Sequence, residues 1–357
     1  MDKKQFTSSR KLDHLRICLE KDIESGSSGF EDIRLVHHAL PDTDMDSLNL
    51  KTTFLGHSLG SPLFISAMTG GHPETERVNK TLALAAEKYN IGIGVGSQRA
   101  AIEDPDLRRT FSVVRDVAPH AFVVANIGIV QIRDHGLSWA EEAVSMIDAD
   151  AIAVHLNFLQ EAIQPEGDHD ATGCLEALRL VCSDCSVPVI VKETGCGFSY
   201  ETAKQCYAAG AKAVDTGGWG GSSWAAIESF RAKESEKPEE QRLDELGQIF
   251  ADWGIPTAVS VYETSRLKGP LIASGGIRTG IDIAKALALG ADLGGMALPL
   301  LRPACESQDA LFAVIESIHQ QILVAMFLSG CTRTSDFSKT NWYVSGRTRD
   351  MIQNKED

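Results

Sequence analysis

Aromatic residues are scarce, at 6% of the 357 residues, and the eight cysteines are scattered through apolar and helical segments. Scattered thiols in a chain of this length exclude a disulfide framework. Cys182 and Cys185 form a C-x-x-C pair, but no second pair stands at zinc spacing, so both are read as structural thiols. No uninterrupted apolar run approaches about 18 residues, so no membrane span is expected. Basic residues are outnumbered, 34 Lys plus Arg against 49 Asp plus Glu, for a net charge of −15. That balance excludes nucleic acid or an anionic membrane as the main partner. The first residues, MDKKQFTSSRKLDHLRICLEKD, contain no apolar core of a secretion signal, and a cytoplasmic protein is expected.

What the chain does have is 43% hydrophobic residues, enough for a large core. Short apolar runs recur, each followed by a helical pattern. They fall at 62–70, 91–97, 121–128, 151–157, 187–193, 211–218, 269–276 and 291–298. Near-continuous apolar runs belong to strands buried on both faces of a parallel sheet. Eight βα units predict an α/β fold, a (β/α)8 barrel. Residues 1–60 are then an amino-terminal extension and lid, and 225–266 a helical insertion after strand six, all within a single domain. The alternative is an open doubly wound sheet. It would use GIGVGS as a dinucleotide fingerprint, but the second half of that motif is missing.

Polar residues collect where these runs end. AIAVHLNFLQE (151–161) finishes in His155, Asn157, Gln160 and Glu161. The other ends supply Ala67-Met68-Thr69, Ser97-Gln98-Arg99, Asn126, Lys192 with Glu193, and Asp215 with Thr216. Barrel chemistry is built at this rim. So many polar groups aimed at one place are costly to bury without a ligand. ASGGIRTG after strand seven and GGMALPLL after strand eight offer backbone N–H groups to a phosphate, and GGWGGSS adds the hydroxyls of Ser222 and Ser223. Lys192, inside a strand, is open to three readings. It is a Schiff-base lysine, a structural ion pair with Glu193 or Asp215, or a cation beside an electron-rich ring. Next to a phosphate site and Asn126, the third suits flavin mononucleotide, FMN.

RKLDHL (10–15), SAMTGG (66–71), GSQR (96–99), NIG (126–128), HLNFLQE (155–161), VKETGCG (191–197), DTGGWGGSSW (215–224) and ASGGIRTG (273–280) together resemble the type 2 isopentenyl diphosphate isomerases. The resemblance implies a 1,3-allylic proton shift that interconverts isopentenyl and dimethylallyl diphosphate. It implies reduced FMN, Mg²⁺, and NAD(P)H as reductant. FMN is then expected at Ala67, Met68, Thr69, Ser97, Asn126, Lys192, Ser222, Gly275, Gly276, Ala297 and Leu298. The substrate is expected at Arg10, Lys11, His14, Ser97, Gln98, Arg99, Asn157 and Gln160. Gln160 is placed near the reacting alkene, Glu161 on the metal, and His155 in a polar network nearby, with a satisfied core histidine as its other reading. The chain departs from the family in its strand-six loop, where Gly217 offers only backbone and Ser222 keeps the hydroxyl. The apolar helix near 307–328, with the resemblance, implies a homo-oligomer of four subunits or more. Two other readings stand beside this one: another FMN barrel oxidoreductase, and a non-catalytic flavin- or phosphate-binding barrel.

Overall fold

The computed structural model describes residues 3–234 and 238–353; the side chains of residues 3–10 and 238–240, Arg10 included, lie outside the described residues. Eight parallel strands close on themselves: β1 (Leu63–Ile65), β2 (Gly92–Gly94), β3 (Val123–Gly128), β4 (Ala151–Leu156), β5 (Val189–Glu193), β6 (Ala213–Asp215), β7 (Leu271–Ser274) and β8 (Leu293–Met296). All eight fall within the expected runs. The register sets Lys192 level with His155 on one side and Asp215 on the other. Three chemically distinct side chains on adjacent strands thus share one height near the rim.

The floor of the barrel explains residues 50–60. The strands Thr52–Phe54 and His57–Leu59 form a hairpin whose turn, Leu55-Gly56, has positive φ at both residues. Paired positive φ matches the right-handed twist of a two-residue hairpin. Its Phe54 and Leu59 enter an apolar cluster with Phe64, Phe122, Val124, Ile190, Ile272 and Leu293. Phe54 meets Phe122 edge to face at 6.1 Å. Gly92 is required here, because a Cβ on it would lie 2.7 Å from the Phe64 ring. The glycines of GIGVGS therefore serve packing inside a barrel strand.

The insertion is shorter than 225–266. Helices Trp224–Lys233 and Pro238–Ile249 and the turn Phe250–Asp252 stand outside the barrel's repeat. Thr257–Ser265, in contrast, is almost wholly buried and packs on β7 and the helix Tyr200–Ala208, taking the place of the barrel helix after β6. Its buried Thr257, Ser260, Glu263 and Thr264 gave it no apolar stripe to recognise. The carboxyl-terminal residues fold back on the amino-terminal extension. Trp342–Val344 pairs antiparallel with Ile33–Leu35.

The helix Gln308–Leu328 is long and apolar enough to cross a membrane by length and composition, with a mean hydropathy of 1.7. It lies against the barrel as the helix that follows β8, with Leu311, Ile315, Ile318, Ile322 and Met326 buried. Ile17, Ile23 and Ile227 form a separate small cluster that fixes the helix Lys3–Glu20 to Trp224–Lys233, across the mouth of its own barrel.

Phe122→Ala should lower the unfolding free energy in urea by about 3–5 kcal/mol, the cost of emptying an aromatic site that cannot collapse. A change under about 1 kcal/mol would show that the floor is not a close-packed layer.

Candidate active site

Two clefts open at the carboxyl ends of the strands, of about 990 Å³ and 800 Å³. Both are lined by Lys11, His14, Ala67, Met68, Lys192, Thr194 and Trp224, so they adjoin along that row.

The larger cleft is bounded by Thr69, Ser222, Gly275, Gly276, Ala297 and Leu298, all expected at the cofactor. Its far wall is made of backbone in close contact with backbone. A Cβ on Gly275 would lie 2.1 Å from the Gly218 carbonyl oxygen, and one on Gly276 would lie 2.2 Å from that of Gly220. Gly276 also has φ +68°, in the left-handed region that favours glycine. Thr216 and Ser274 bind the two loops together: Ser274 N donates to Thr216 Oγ1 and Thr216 Oγ1 to Ser274 O, each at 3.0 Å.

A third segment overlies them. Ser223 N donates to Ile23 O at 2.8 Å, Ser25 N donates to Gly221 O at 3.1 Å, and the Arg278 Nε donates to Glu24 at 2.8 Å. The absence of a side chain at 217 has a cause: φ is +45°, and a Cβ there would lie 2.0 Å from the Glu193 carbonyl oxygen.

Three features of this wall fit a phosphorylated ring cofactor. The glycine cradle brings two backbone loops together on the cleft wall where side chains would force them apart. The helix Leu298–Glu306 begins at Ala297 with no side-chain cap; Pro299 has no N–H and Leu300 N donates to Ala297 O at 3.0 Å, which leaves the Leu298 N–H as the helix-start donor beside the cleft. Ser66 Oγ is buried on the cleft wall without a hydrogen-bond partner, a polar atom left for a ligand. The helix start after strand eight was expected from GGMALPLL; Ser66 was not assigned a role, because one serine within SAMTGG carries no signal of its own.

The smaller cleft is polar, lined by Ser97, Arg99, Asn126, His155, Asn157, Gln160 and Glu161. The Asn126 Nδ2 donates to Val95 O at 2.9 Å, which fixes its Oδ1 as the acceptor for His155 Nδ1 at 2.8 Å. His155 therefore carries its proton on Nδ1 and leaves Nε2 as a base. Burial, reinforced by the Lys192 and Lys11 charges, holds its pKa down to about 3. Lys192 Nζ donates to the Glu193 carbonyl at 2.7 Å. The Glu193 carboxylate turns into the amides of Thr194, Gly195, Cys196 and Gly197 and lines neither cleft, so it orders that turn. Asp215, bonded to Ser274 Oγ, lies beneath the cleft, its pKa raised by burial against the opposing Lys192 charge.

Gln98 is not brought to the site. It is fully buried, its Nε2 donating to Ala143 O at 2.8 Å and its Oε1 accepting from Asn126 N at 2.9 Å. It supports Asn126 from behind. His14 reaches the clefts, with its Nε2 3.0 Å from Glu228, a buried carboxylate on the insertion helix. Glu228 and Trp224 were not anticipated, because AAIESFRAK reads as one more solvated helix.

The fit to a divalent cation is narrower. Glu161 accepts from Asn157 Nδ2 at 2.8 Å, Gln164 Nε2 at 2.6 Å and Asp168 N at 2.9 Å. Among the described residues no group of three or more His, Cys, Asp or Glu is placed to hold a metal. Such a site suits Mg²⁺ bound through one carboxylate, waters and phosphate oxygens, not an all-protein cage.

Barrel, cradle and lysine define a flavin-binding (β/α)8 enzyme. The model of the FMN-dependent dehydrogenase family matches residues 139–344. The fold is similar to that of a mandelate oxidase (TM-score 0.63, 16% identity, 95% of this chain and 99% of that one) and of flavocytochrome b2 (TM-score 0.65, 17% identity, 94% and 83%). The isopentenyl-diphosphate delta-isomerase of Methanoregula boonei is 61% identical over 351 residues, covering 98% of each chain. That of Methanosarcina mazei is 50% identical over 351 residues, covering 98% of this chain and 95% of its own. The chain belongs to the isopentenyl-diphosphate delta-isomerase family, in its FMN-dependent, type 2 form.

Two outcomes follow from the geometry. Gly276→Ala should weaken FMN binding about tenfold or more, since strain at such a site costs at least 1–2 kcal/mol; unchanged quenching of FMN fluorescence on titration would contradict the cradle. The second concerns acid. Unfolded His155 takes a proton below its ordinary 6.5, whereas the folded residue holds none until about pH 3. The unfolded state thus binds more protons across that window, and stability falls as pH drops through it. His155→Gln should flatten the fall in melting temperature between pH 6.5 and 4; an unaltered slope would rule out a neutral buried His155.

Proposed function

We propose that this chain interconverts isopentenyl and dimethylallyl diphosphate by an allylic proton shift, with FMN in the larger cleft and substrate in the smaller. The observation that carries this reading is the shared boundary. A phosphate-cradled seat for a ring and a polar, cationic seat for a diphosphate meet along Met68, Lys192 and Trp224. Lys11 and Lys192 give that boundary positive charge within a chain of net −15, and Arg99, paired with Glu103 at 2.9 Å, stands in the smaller cleft. The likeness to isopentenyl-diphosphate delta-isomerases covers 98% of this chain.

The protein's residues have distinct tasks in this reading. Lys11, His14 and Arg99, with Arg10 whose side chain lies outside the described residues, hold the diphosphate. Glu161 shares Mg²⁺ with its oxygens. Lys192 sets a cation beside the ring, and Ala67, Met68 and Thr69 frame its other edge. Ser222, Gly275, Gly276, Ala297 and Leu298 take the cofactor phosphate, with Ser97 and Asn126 at the inner wall. Asn157 and Gln160 lie beside the reacting carbons. His155 stays neutral, its Nδ1 proton held by Asn126, so it does not start the reaction by giving up a proton. Reduced FMN, when bound, supplies a ring nitrogen able to exchange a proton with the alkene. NAD(P)H is the proposed reductant. A cytoplasmic homo-oligomer is proposed as well, supported by the exposed Val324 and Leu328 on the apolar helix.

The test is direct. Enzyme with reduced FMN, isopentenyl diphosphate and Mg²⁺ should form dimethylallyl diphosphate with no net change in flavin absorbance. Full activity of fully oxidised enzyme without a reductant would contradict the reading. Glu161→Gln should raise the Mg²⁺ concentration needed for half-maximal rate about tenfold or more, and Lys192→Ala should lose the yellow cofactor. Normal Mg²⁺ response or full flavin content would remove those assignments.

A further inference from the structure

Glu228 is only 1% exposed, on the helix Trp224–Lys233, yet it touches two residues of the proposed substrate site. One carboxylate oxygen, Oε1, accepts two bonds: from His14 Nε2 at 3.0 Å and from Gln160 Nε2 at 2.9 Å. The other accepts from Arg231 Nη1, and Arg231 Nη2 reaches Glu166 at 3.2 Å. Burial alone would favour a proton on this carboxyl. The His14 and Arg231 charges, with hydrogen bonds from His14 and Gln160, reverse that and bring its pKa to about 2. Glu228 is therefore an acceptor and nothing else.

An amide has one donating and one accepting end, and a neighbour that only accepts settles which end faces it. Glu228 takes the Gln160 NH₂. The Gln160 Oε1 is left on the side of Asn157, whose Nδ2 lies 3.4 Å away, and both residues line the smaller cleft. Adding a proton to the terminal carbon of isopentenyl diphosphate leaves positive charge on the neighbouring tertiary carbon. Losing a proton from the far side then completes the shift. An oxygen fixed toward that carbon stabilises the charge as it develops, without reorganising in the step.

We infer that Glu228 is a positioning residue that orients the Gln160 amide with its carbonyl oxygen toward the reacting carbons of the substrate. This rests on the reading given under Proposed function. Glu228 itself touches neither substrate nor cofactor in this account. Because the same oxygen holds His14, it also ties the diphosphate-binding helix Lys3–Glu20 to the orientation of Gln160.

A double-mutant cycle tests this on the holoenzyme. Glu228→Gln puts a second amide against Gln160 and releases the constraint. With reduced FMN and saturating isopentenyl diphosphate, it should lower kcat about 10- to 100-fold, while FMN titration is unchanged. In a Gln160→Ala background the same substitution should lower kcat less than about twofold, because the residue it acts through is gone. Glu228→Asp, which keeps an acceptor of shorter reach, should retain more kcat than Glu228→Gln. Equal losses in both backgrounds, or an unchanged kcat in Glu228→Gln, would overturn the inference. So would an Asp variant no better than the Gln variant. Absence of product from the unmodified enzyme would instead fail the isomerase reading, and this one with it.

Discussion

The site depends on one constraint: the loops after β6 and β7 touch through backbone, with no room for a side chain between them. Gly275 against Gly218 and Gly276 against Gly220 bring two chains of N–H and C=O groups to within van der Waals distance. That approach needs glycine at 275 and 276, both with left-handed backbone, and at Gly221, where a Cβ would lie 2.4 Å from Gly276 N. The Thr216–Ser274 hydrogen bonds hold the loops in register from below, and the segment 23–28 covers them from outside. Ala297 and Leu298, at the start of the next helix, line the same cleft as these glycines.

Charge is handled locally. The surface is strongly acidic, yet the rim gathers Lys11, Arg99 and Lys192. The carboxylates near them each have assigned partners. Glu193 is enclosed by amides, Glu228 by His14, Gln160 and Arg231, and Glu161 by Asn157, Gln164 and a backbone N–H. His155 is kept neutral by burial and by its cationic neighbours. What remains at the boundary between the clefts is a positively charged rim whose acid–base groups are already committed. That arrangement suits substrates that bring their own negative charge and a cofactor that brings its own chemistry.

The barrel was legible in the sequence because a parallel strand buried on both faces leaves a short apolar run bounded by turns, and all eight such runs became strands. Much of the rim was legible too, since strand ends in a closed barrel converge. Three things were not. Thr257–Ser265 is a barrel helix that buries Thr257, Ser260, Glu263 and Thr264 together with Ala258, Val259 and Val261, so its apolar residues do not stand apart as a stripe. Gln98 stands in a motif at a strand end, but its side chain turns inward and braces Asn126; sequence position carries no direction. Glu228 sits in an insertion helix and meets His14, 214 residues away, and Gln160, 68 residues away, contacts that sequence order does not reveal.

The phosphate cradle is tested most directly by comparing FMN with riboflavin, its dephosphorylated form, in isothermal titration calorimetry of the apoprotein. In the proposed placement the glycine loops and the Leu298 N–H act on the phosphate alone, so FMN should bind at least about 100-fold more tightly, a difference of about 2.7 kcal/mol. Equal affinities for the two flavins would contradict the account, because they would mean that the converging backbone amides hold no phosphate.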